Sequence, residues 1–305
     1  MSLPLAIALG VASAAVYGTS TVVQHRVANR ATVGTGAAAQ AAGLLRIVRD
    51  PLFLLAMCGD AIGFLLQIGA LATGEVVVVQ PLVILLLPVA LLVDYGYGGP
   101  RPRRADLLGC CGVIAGLAGF LVLLGTPPPG VPPSLTALAW TIAGTLAGGF
   151  LLLAVLHRCS ARLRSATYGV VAGCFFGLLA ALVDAASTQF ADHGAGSLVT
   201  TGRGIAVIVG ILVLGGAAIA LTQLSFQLGN LGTALPASLL ADCLAGIGFG
   251  AALLHEAIPV GPGRVIGYAA FLAAAVFGAF RLADPTHRST STPAPVSDRA
   301  GPPAL

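Results

Sequence analysis

The sequence predicts an all-α, polytopic membrane protein of about nine transmembrane helices. Of its 305 residues, 57% are hydrophobic and 9% are charged, whereas about a quarter of the residues of a soluble domain are charged. The mean hydropathy is +0.97, and so few charged side chains cannot cover the surface of a soluble fold of this size. The composition therefore excludes a soluble enzyme, a secreted disulfide scaffold and a disordered protein.

Nine stretches of the chain reach the roughly 20 mostly apolar residues that a spanning helix needs. The second opens with Asp50 and Pro51, a capping side chain followed by proline at the first helical position. The proline-rich stretch 126–133 cannot continue a helix and is expected to be a loop. The predicted helices cover residues 3–24, 51–73, 76–95, 105–126, 135–156, 167–190, 204–227, 232–254 and 264–283.

The arginine distribution predicts the orientation of these helices. If successive loops alternate between the two sides, thirteen of the fifteen basic residues, all Arg, fall on one side, and Arg203 and Arg264 fall on the other. A basic excess marks the cytoplasmic side. We therefore expect a multi-pass protein of the plasma membrane, the inner membrane in a bacterium, with an outer N-terminus and a cytoplasmic C-terminus. The arginine-rich segments are 25–50, 96–104, 157–166 and the stretch from Arg281 onward.

A weak internal repeat relates helices 1–4 to helices 6–9. The unpaired fifth helix adds one crossing, so the second copy would lie inverted in the membrane, as is typical of secondary transporters. The predicted divisions are a first half (1–126), a connector with helix 5 (127–166), a second half (167–284) and a disordered cytoplasmic tail (285–305). The matched spacings are Gly10–Gly18 with Gly169–Gly177, Gly74–Pro81 with Gly229–Pro236, and Gly109 with Gly267.

Short motifs in the two halves carry a family resemblance. GDAIGF occupies 59–64, VQPL occupies 79–82, and QLG at 227–229 leads to LPAS at 235–238. Through the order of these motifs, the chain resembles the EamA-like and NIPA-like branch of the drug/metabolite transporter (DMT) superfamily over about residues 3–284. The resemblance implies a nine-helix transporter with an unpaired fifth helix, as in the NIPA-type magnesium transporters. It also implies an acidic residue after glycine in helix 2, which is Asp60.

Three carboxylates inside the predicted helices are candidate substrate- or ion-binding residues. Asp60 and Asp242 fall near the midplane of their helices, and Asp184 falls nearer the outer end. An ionisable group at mid-membrane costs roughly 2.5–3.5 kcal/mol on insertion scales, so its presence indicates a use. Such groups suit a proton-coupled carrier or a cation site. The alternative is a protonated Asp that hydrogen-bonds a neighbouring polar group.

Polar uncharged side chains complete the set of candidates. Four glutamines can bind solute or hold helices together, and the sequence leaves both roles open. Tyr17 is expected to use its hydroxyl mainly between helices. Glu75, in the short turn between helices 2 and 3, is expected to be a solvated carboxylate, and Asp94 is expected to pair with Arg101 and Arg103. The four glutamines are Gln67, Gln80, Gln223 and Gln227.

The leading functional prediction is a secondary carrier of a small solute, working by alternating access with protonation of Asp60 or Asp242. The first alternative is a NIPA-like magnesium or divalent-cation transporter, with Asp60 as the metal-facing carboxylate and the ion passing largely hydrated. The second is a non-transporting membrane scaffold. No enzyme motif or cofactor site is found, and the basic loops lack the aromatic residues of a nucleic-acid surface. The expected partners are the solute or ion and membrane lipid, with monomer and homodimer both open.

Overall fold

The computed structural model describes residues 3–31, 49–99, 101–128, 130–228 and 231–283, and within these ranges the regular secondary structure is all helical. Nine helices in the described ranges are long and apolar enough to cross a membrane. The predicted fold class, a polytopic all-α membrane protein, is confirmed. The predicted tail lies outside the described residues. The helices are α1 Leu3–Ala31, α2 Pro51–Thr73, α3 Val76–Gly96, α4 Arg104–Leu124, α5 Leu135–Leu156, α6 Ala161–His193, α7 Gly202–Leu228, α8 Leu231–Leu253 and α9 Pro262–Ala283.

The helix ends follow local capping chemistry. The Asp50 side chain accepts the Leu52 N–H at 2.8 Å with Pro51 at the first position, as predicted. Two helices are longer than predicted: α1 continues past residue 24 to Ala31, and α6 begins at residue 161 rather than 167. Neither extension contains glycine or proline, so the chain remains helical after its hydropathy has fallen. With 33 residues, α6 is about 50 Å long.

The third span, α3, changes its helical form along its length. It begins as one α-helical turn, Val76–Val79, tightens into a 3₁₀ segment, Gln80–Leu85, and continues as an α-helix, Leu86–Gly96. Pro81 lies in the tightened part, where its missing N–H removes a helical hydrogen bond. A mid-helix stretch of 3₁₀ often marks a hinge, and this one carries the candidate residue Gln80.

The helices pack in a similar order in the first and the second predicted half. In the first half α1 packs on α2 and α3, and in the second half α6 packs on α7 and α8. The fourth helix of each half, α4 or α9, packs on the other, and α8 contacts the first part of α3. Helix α5 lies at the edge against α6 and α7 and is mostly exposed. The inverted relation of the halves remains a prediction.

Glycines set the close approach of helices beside the candidate carboxylates. Gly59 and Gly63 of α2 face α1, where a Cβ at Gly63 would lie 3.2 Å from the Tyr17 ring. Gly173 and Gly177 of α6 face α8, where a Cβ at Gly177 would lie 2.6 Å from the backbone nitrogen of Gly246. Small residues of this kind let membrane helices approach with their backbones.

The ion pair of Asp94 differs from the prediction. Its carboxylate pairs with Arg26 of α1, with 2.7 Å between Nη2 and Oδ1, and the same guanidinium donates to the Tyr97 carbonyl at 2.7 Å. The predicted partners Arg101 and Arg103 were favoured by nearness in sequence. Arg26 reaches Asp94 because the end of α1 extends beyond its predicted span and lies beside the end of α3.

Candidate functional site

A chain of buried polar side chains joins three helices across the two halves. The side-chain amide of Gln67 in α2 donates to the amide oxygen of Gln80 in α3 at 3.2 Å, and the Gln80 amide donates to the carboxylate of Asp242 in α8. Gln80 and Asp242 are 2% and 8% exposed. Gly246, one turn beyond Asp242, leaves room for the Gln80 side chain, which a Cβ would overlap. Three of the predicted site residues are thus directly connected.

Asp60 is bonded within the first half instead. The side-chain amide of Gln24 in α1 donates to its carboxylate, and the hydroxyl of Ser20, one turn earlier, hydrogen-bonds it as well. Gly59 permits this approach, because a Cβ there would overlap the Ser20 hydroxyl. Ser20 and Gly59 also line a cavity of about 550 Å³ between α1 and α2. A solute or water therefore has room beside the groups that bind Asp60.

Tyr17 lies within electrostatic range of two carboxylates, Asp60 and Asp242. Its ring packs against Gly63 of α2, and the bond between helices expected of its hydroxyl remains a prediction. Tyr17 is therefore near both a carboxylate that is bonded within one half and a carboxylate that is bonded between the halves.

Sequence reasoning missed most of a polar stripe on α1. Ser13, Tyr17, Ser20 and Gln24 are spaced by four, three and four residues, which places them on one helix face. Ser13 donates from its hydroxyl to the carbonyl of Gly63 at 2.8 Å, and the last two bind Asp60. This periodicity was the available signal, since a polar stripe in an apolar helix is expected to face a partner helix.

Asp184 does not join the midplane residues. It is 7% exposed on α6 and lies near two other carboxylates, Glu75 and Glu256, which act on it electrostatically. No described residue forms a hydrogen bond with it. This cluster lies beside the α2–α3 turn and the segment between α4 and α5, whose described residues 125–128 and 130–134 we call the connector. We call this end of the molecule the connector face.

The prediction for Glu75 is wrong, and Glu256 was missed. Glu75 is 7% exposed rather than solvated, because its carboxylate accepts the Gly130 N–H at 3.2 Å beneath the connector. Glu256, in the loop after α8, is 3% exposed. Burial raises the pKa of Glu75, and burial also raises the pKa of Glu256 to about 7, against the opposing hydrogen bonds from Val77 and Val76. No spacing in the sequence distinguishes Glu256 from a loop carboxylate.

Two of the four candidate glutamines cannot be placed at the site. Gln223 and Gln227 belong to α7, but their side chains lie outside the described residues.

Among the described residues, no group of three or more His, Cys, Asp and Glu side chains is arranged to hold a metal ion. The described hydrogen-bond partners of Asp60 and Asp242 are amide and hydroxyl groups. The role of Asp60 as a cation ligand remains a prediction.

Comparison with known proteins places the chain in a family. It is 30% identical over 263 residues to a protein of Corynebacterium glutamicum described as uncharacterized, covering 84% of this chain and 86% of that protein. The chain belongs to the same family as this protein. No protein-family model matches the chain, and no solved structure matches it.

Proposed function

We propose that this protein is a secondary transporter of a small solute, with its site between the two halves at the level of Tyr17, Asp60 and Asp242. The observation that carries the proposal is the hydrogen bond between Gln80 of the first half and Asp242 of the second. It places a buried carboxylate of one half in direct contact with the hinge-like segment of the other. A membrane scaffold has no need of such a costly group at this depth.

The Gln80–Asp242 contact offers a physical route to alternating access. Gln80 lies in the 3₁₀ part of α3, and its amide nitrogen is the described side-chain donor to Asp242. A solute donor that binds the carboxylate, or a proton on the oxygen that accepts the amide, competes with this bond. Losing the bond weakens the contact between the halves at their centre, so occupancy of Asp242 biases their relative arrangement.

The chemistry of the site favours a cationic or neutral solute with hydrogen-bond donors. Carboxylates, amides, hydroxyls and a phenol form the centre, and the described partners of Asp60 and Asp242 carry no positive charge. An anion would meet two carboxylates, and the guanidinium of Arg26, which lines the cavity beside Asp60, is already paired with Asp94. A divalent cation would cross mainly with its own water shell, because Mg²⁺ gives up its water reluctantly.

Reconstitution in liposomes tests the proposal. Purified protein is assayed for uptake of a panel of amines, neutral metabolites and Mg²⁺, with and without a proton gradient. We expect at least one organic solute to be transported above the rate of empty liposomes, and Asp242→Asn to reduce that rate at least about tenfold. Asp106→Asn is the matched control, because Asp106 caps α4 through the Arg103 N–H, away from the centre. Uptake of Mg²⁺ alone would favour the cation transporter, and no uptake of any compound would favour the scaffold.

The proposal also includes location and orientation: the plasma membrane, with the connector face outside. It follows from the arginine distribution. Single cysteines at Ser134 and Ser160, each in a background without the six native cysteines, test it with a membrane-impermeant thiol reagent on intact cells. We expect Ser134→Cys to react and Ser160→Cys to react only after permeabilisation. The reverse pattern would invert the orientation.

A further inference from the structure

The start of α3 is capped by the opposite half of the molecule. The two carboxylate oxygens of Glu256 accept the N–H groups of Val76 and Val77, each at 2.8 Å. Such unpaired N–H groups at a helix start are usually bound by a side chain at the N-cap position. That position is occupied by Glu75, whose side chain makes no capping bond. Glu256, from the loop after α8, therefore joins the second half to the first at the connector face.

The connector closes over this junction. Glu75 accepts the N–H of Gly130, and Val131 donates its N–H to the Leu254 carbonyl at 2.6 Å. A Cβ on Gly130 would lie 3.3 Å from Cγ of Glu256, so the connector backbone lies directly against the capping side chain. Two carboxylates thus hold together the first half, the second half and the segment between them.

The same junction concentrates negative charge. Asp184 of α6 faces both Glu75 and Glu256 and has no hydrogen-bond partner among the described residues. The other titratable groups near the junction are His255, whose Nδ1 lies 3.2 Å from the Leu253 carbonyl, and the amino-terminal group, whose positive charge opposes the rise in the pKa of Glu75. Three buried carboxylates within electrostatic range of one another repel when charged. Closing the face around them is easiest when at least one of them carries a proton.

We propose that the junction of Glu256 with α3 is a proton-dependent gate at the connector face, which closes when the carboxylate cluster takes up a proton and opens when it loses one. One oxygen of Glu256 can carry the proton while the other still accepts an N–H group. The gate goes beyond the proposed transport function, and its test does not require a transported solute.

The direction of the pH effect follows from linkage. In the closed structure burial holds the pKa of Glu256 at about 7, compared with 4.5 for an ordinary Glu side chain. Between these values the closed form binds more protons than an open form in which Glu256 is hydrated, so acid favours closure. Opening should increase as the pH rises from 4.5 to 7 and level off above 7.

Cysteine accessibility measures this opening. Val77→Cys, in a background without the native cysteines, places a thiol at a position that is 0% exposed and bonded to Glu256. Its labelling rate with an impermeant reagent is divided by the rate of exposed Ser134→Cys, which removes the pH dependence of the thiol reaction itself. We expect this ratio to rise at least about tenfold from pH 5 to pH 7. A ratio that does not change with pH overturns the gate.

Variants of the junction separate the gate from a general effect of pH. Glu256→Gln should abolish the rise, since it cannot titrate, and Glu75→Gln should move the rise to lower pH, since the charge of Glu75 raises the pKa of Glu256. Asp50→Asn, which alters the cap of α2 at the opposite face, should leave the profile unchanged. A parental profile in folded Glu256→Gln overturns the proposal. If that variant does not fold, an unshifted profile in Glu75→Gln overturns it. A gate without detectable transport would leave this inference intact.

Discussion

Asp60 and Asp242 have the same side chain and lie near the middle of their helices, but their hydrogen bonds lead to different parts of the molecule. Asp60 is partly exposed and is bound by α1, its neighbour within the first half. Asp242 is buried and is bound by Gln80 of the opposite half. A change at Asp60 therefore acts first within one half, whereas a change at Asp242 acts on the contact between the halves.

The difference assigns separate tasks to the two carboxylates under the proposed transport function. Asp60 lies beside a cavity and exchanges partners without separating the halves, so it suits reversible binding of a proton or solute. Asp242 is better placed to couple the binding of a proton or solute at its carboxylate to the relative position of the halves. Depth in the membrane alone does not distinguish these tasks, because the nature of the partner helix decides them.

The largest expected effect comes from forcing α6 away from α8, which carries Asp242. In Gly177→Leu the new side chain would meet the Asp242 carbonyl at 2.8 Å and the Ala245 Cβ at 2.7 Å from its first atom. Overpacking typically costs 1–3 kcal/mol, and backbone atoms cannot yield as side chains do. We expect no monodisperse peak in size-exclusion chromatography. Gly148→Leu, at a glycine with nothing within 4 Å of its Cβ position, should elute normally. Equal yields would show that the α6–α8 approach is looser than described.

The second effect concerns the task of Asp60. We expect Asp60→Asn to lower proton-coupled transport at least about tenfold while leaving the protein inserted and folded. Asparagine keeps the size and the hydrogen bonds, but it cannot release a proton or carry charge. If Asp60 were a permanently protonated structural group, the change would cost about 1 kcal/mol or less. Transport at the parental rate and pH dependence would make Asp60 structural and leave Asp242 as the coupling residue.

The fold was more predictable than the site, for physical reasons that particular residues show. Hydropathy and caps such as Asp50 locate helices because both are local properties of the sequence. The contacts of Asp60 with Ser20 and Gln24 could have been predicted, because the polar residues of α1 are spaced along one helix face. The capping of α3 by Glu256 was not, because it joins residues about 180 positions apart and depends on how two halves meet.

The third effect compares the stability cost of removing each carboxylate. Asp242→Ala leaves the Gln80 amide, 2% exposed, with only a long 3.4 Å contact to the backbone carbonyl of residue 242, and a poorly satisfied buried group costs roughly 1–3 kcal/mol. Asp60→Ala should cost less than about 1 kcal/mol, because its partner Gln24 is partly exposed and can bind water. The free energy of unfolding in mild detergent, measured by denaturant titration, gives both values. Equal losses would contradict the distinction between a bond within one half and a bond between halves.

The smallest effect concerns the serines that hold the first two helices of each half together. Ser13 bonds the Gly63 carbonyl between α1 and α2, whereas Ser165 and Ser225 exchange two such bonds between α6 and α7, at 2.8 and 3.0 Å. Interhelical hydrogen bonds in membranes contribute about 0.6 kcal/mol on average. Ser13→Ala should therefore lower the free energy of unfolding by about that amount, and Ser165→Ala with Ser225→Ala by about twice as much.

A serine that bonds its own helix supplies the control for this pair of measurements. The hydroxyl of Ser187 donates to the Val183 carbonyl one turn earlier in α6, so Ser187→Ala removes a hydroxyl without removing a contact between helices. We expect a change of no more than a few tenths of a kcal/mol, because such bonds add little to a helix that is already formed. If Ser187→Ala costs as much as Ser13→Ala, the measured losses reflect the removal of any hydroxyl. If Ser187→Ala leaves the free energy of unfolding unchanged and the double variant lowers it more than Ser13→Ala does, the first two helices of the second half are the more firmly bonded pair. Asp242 then belongs to the more rigid side of the interface.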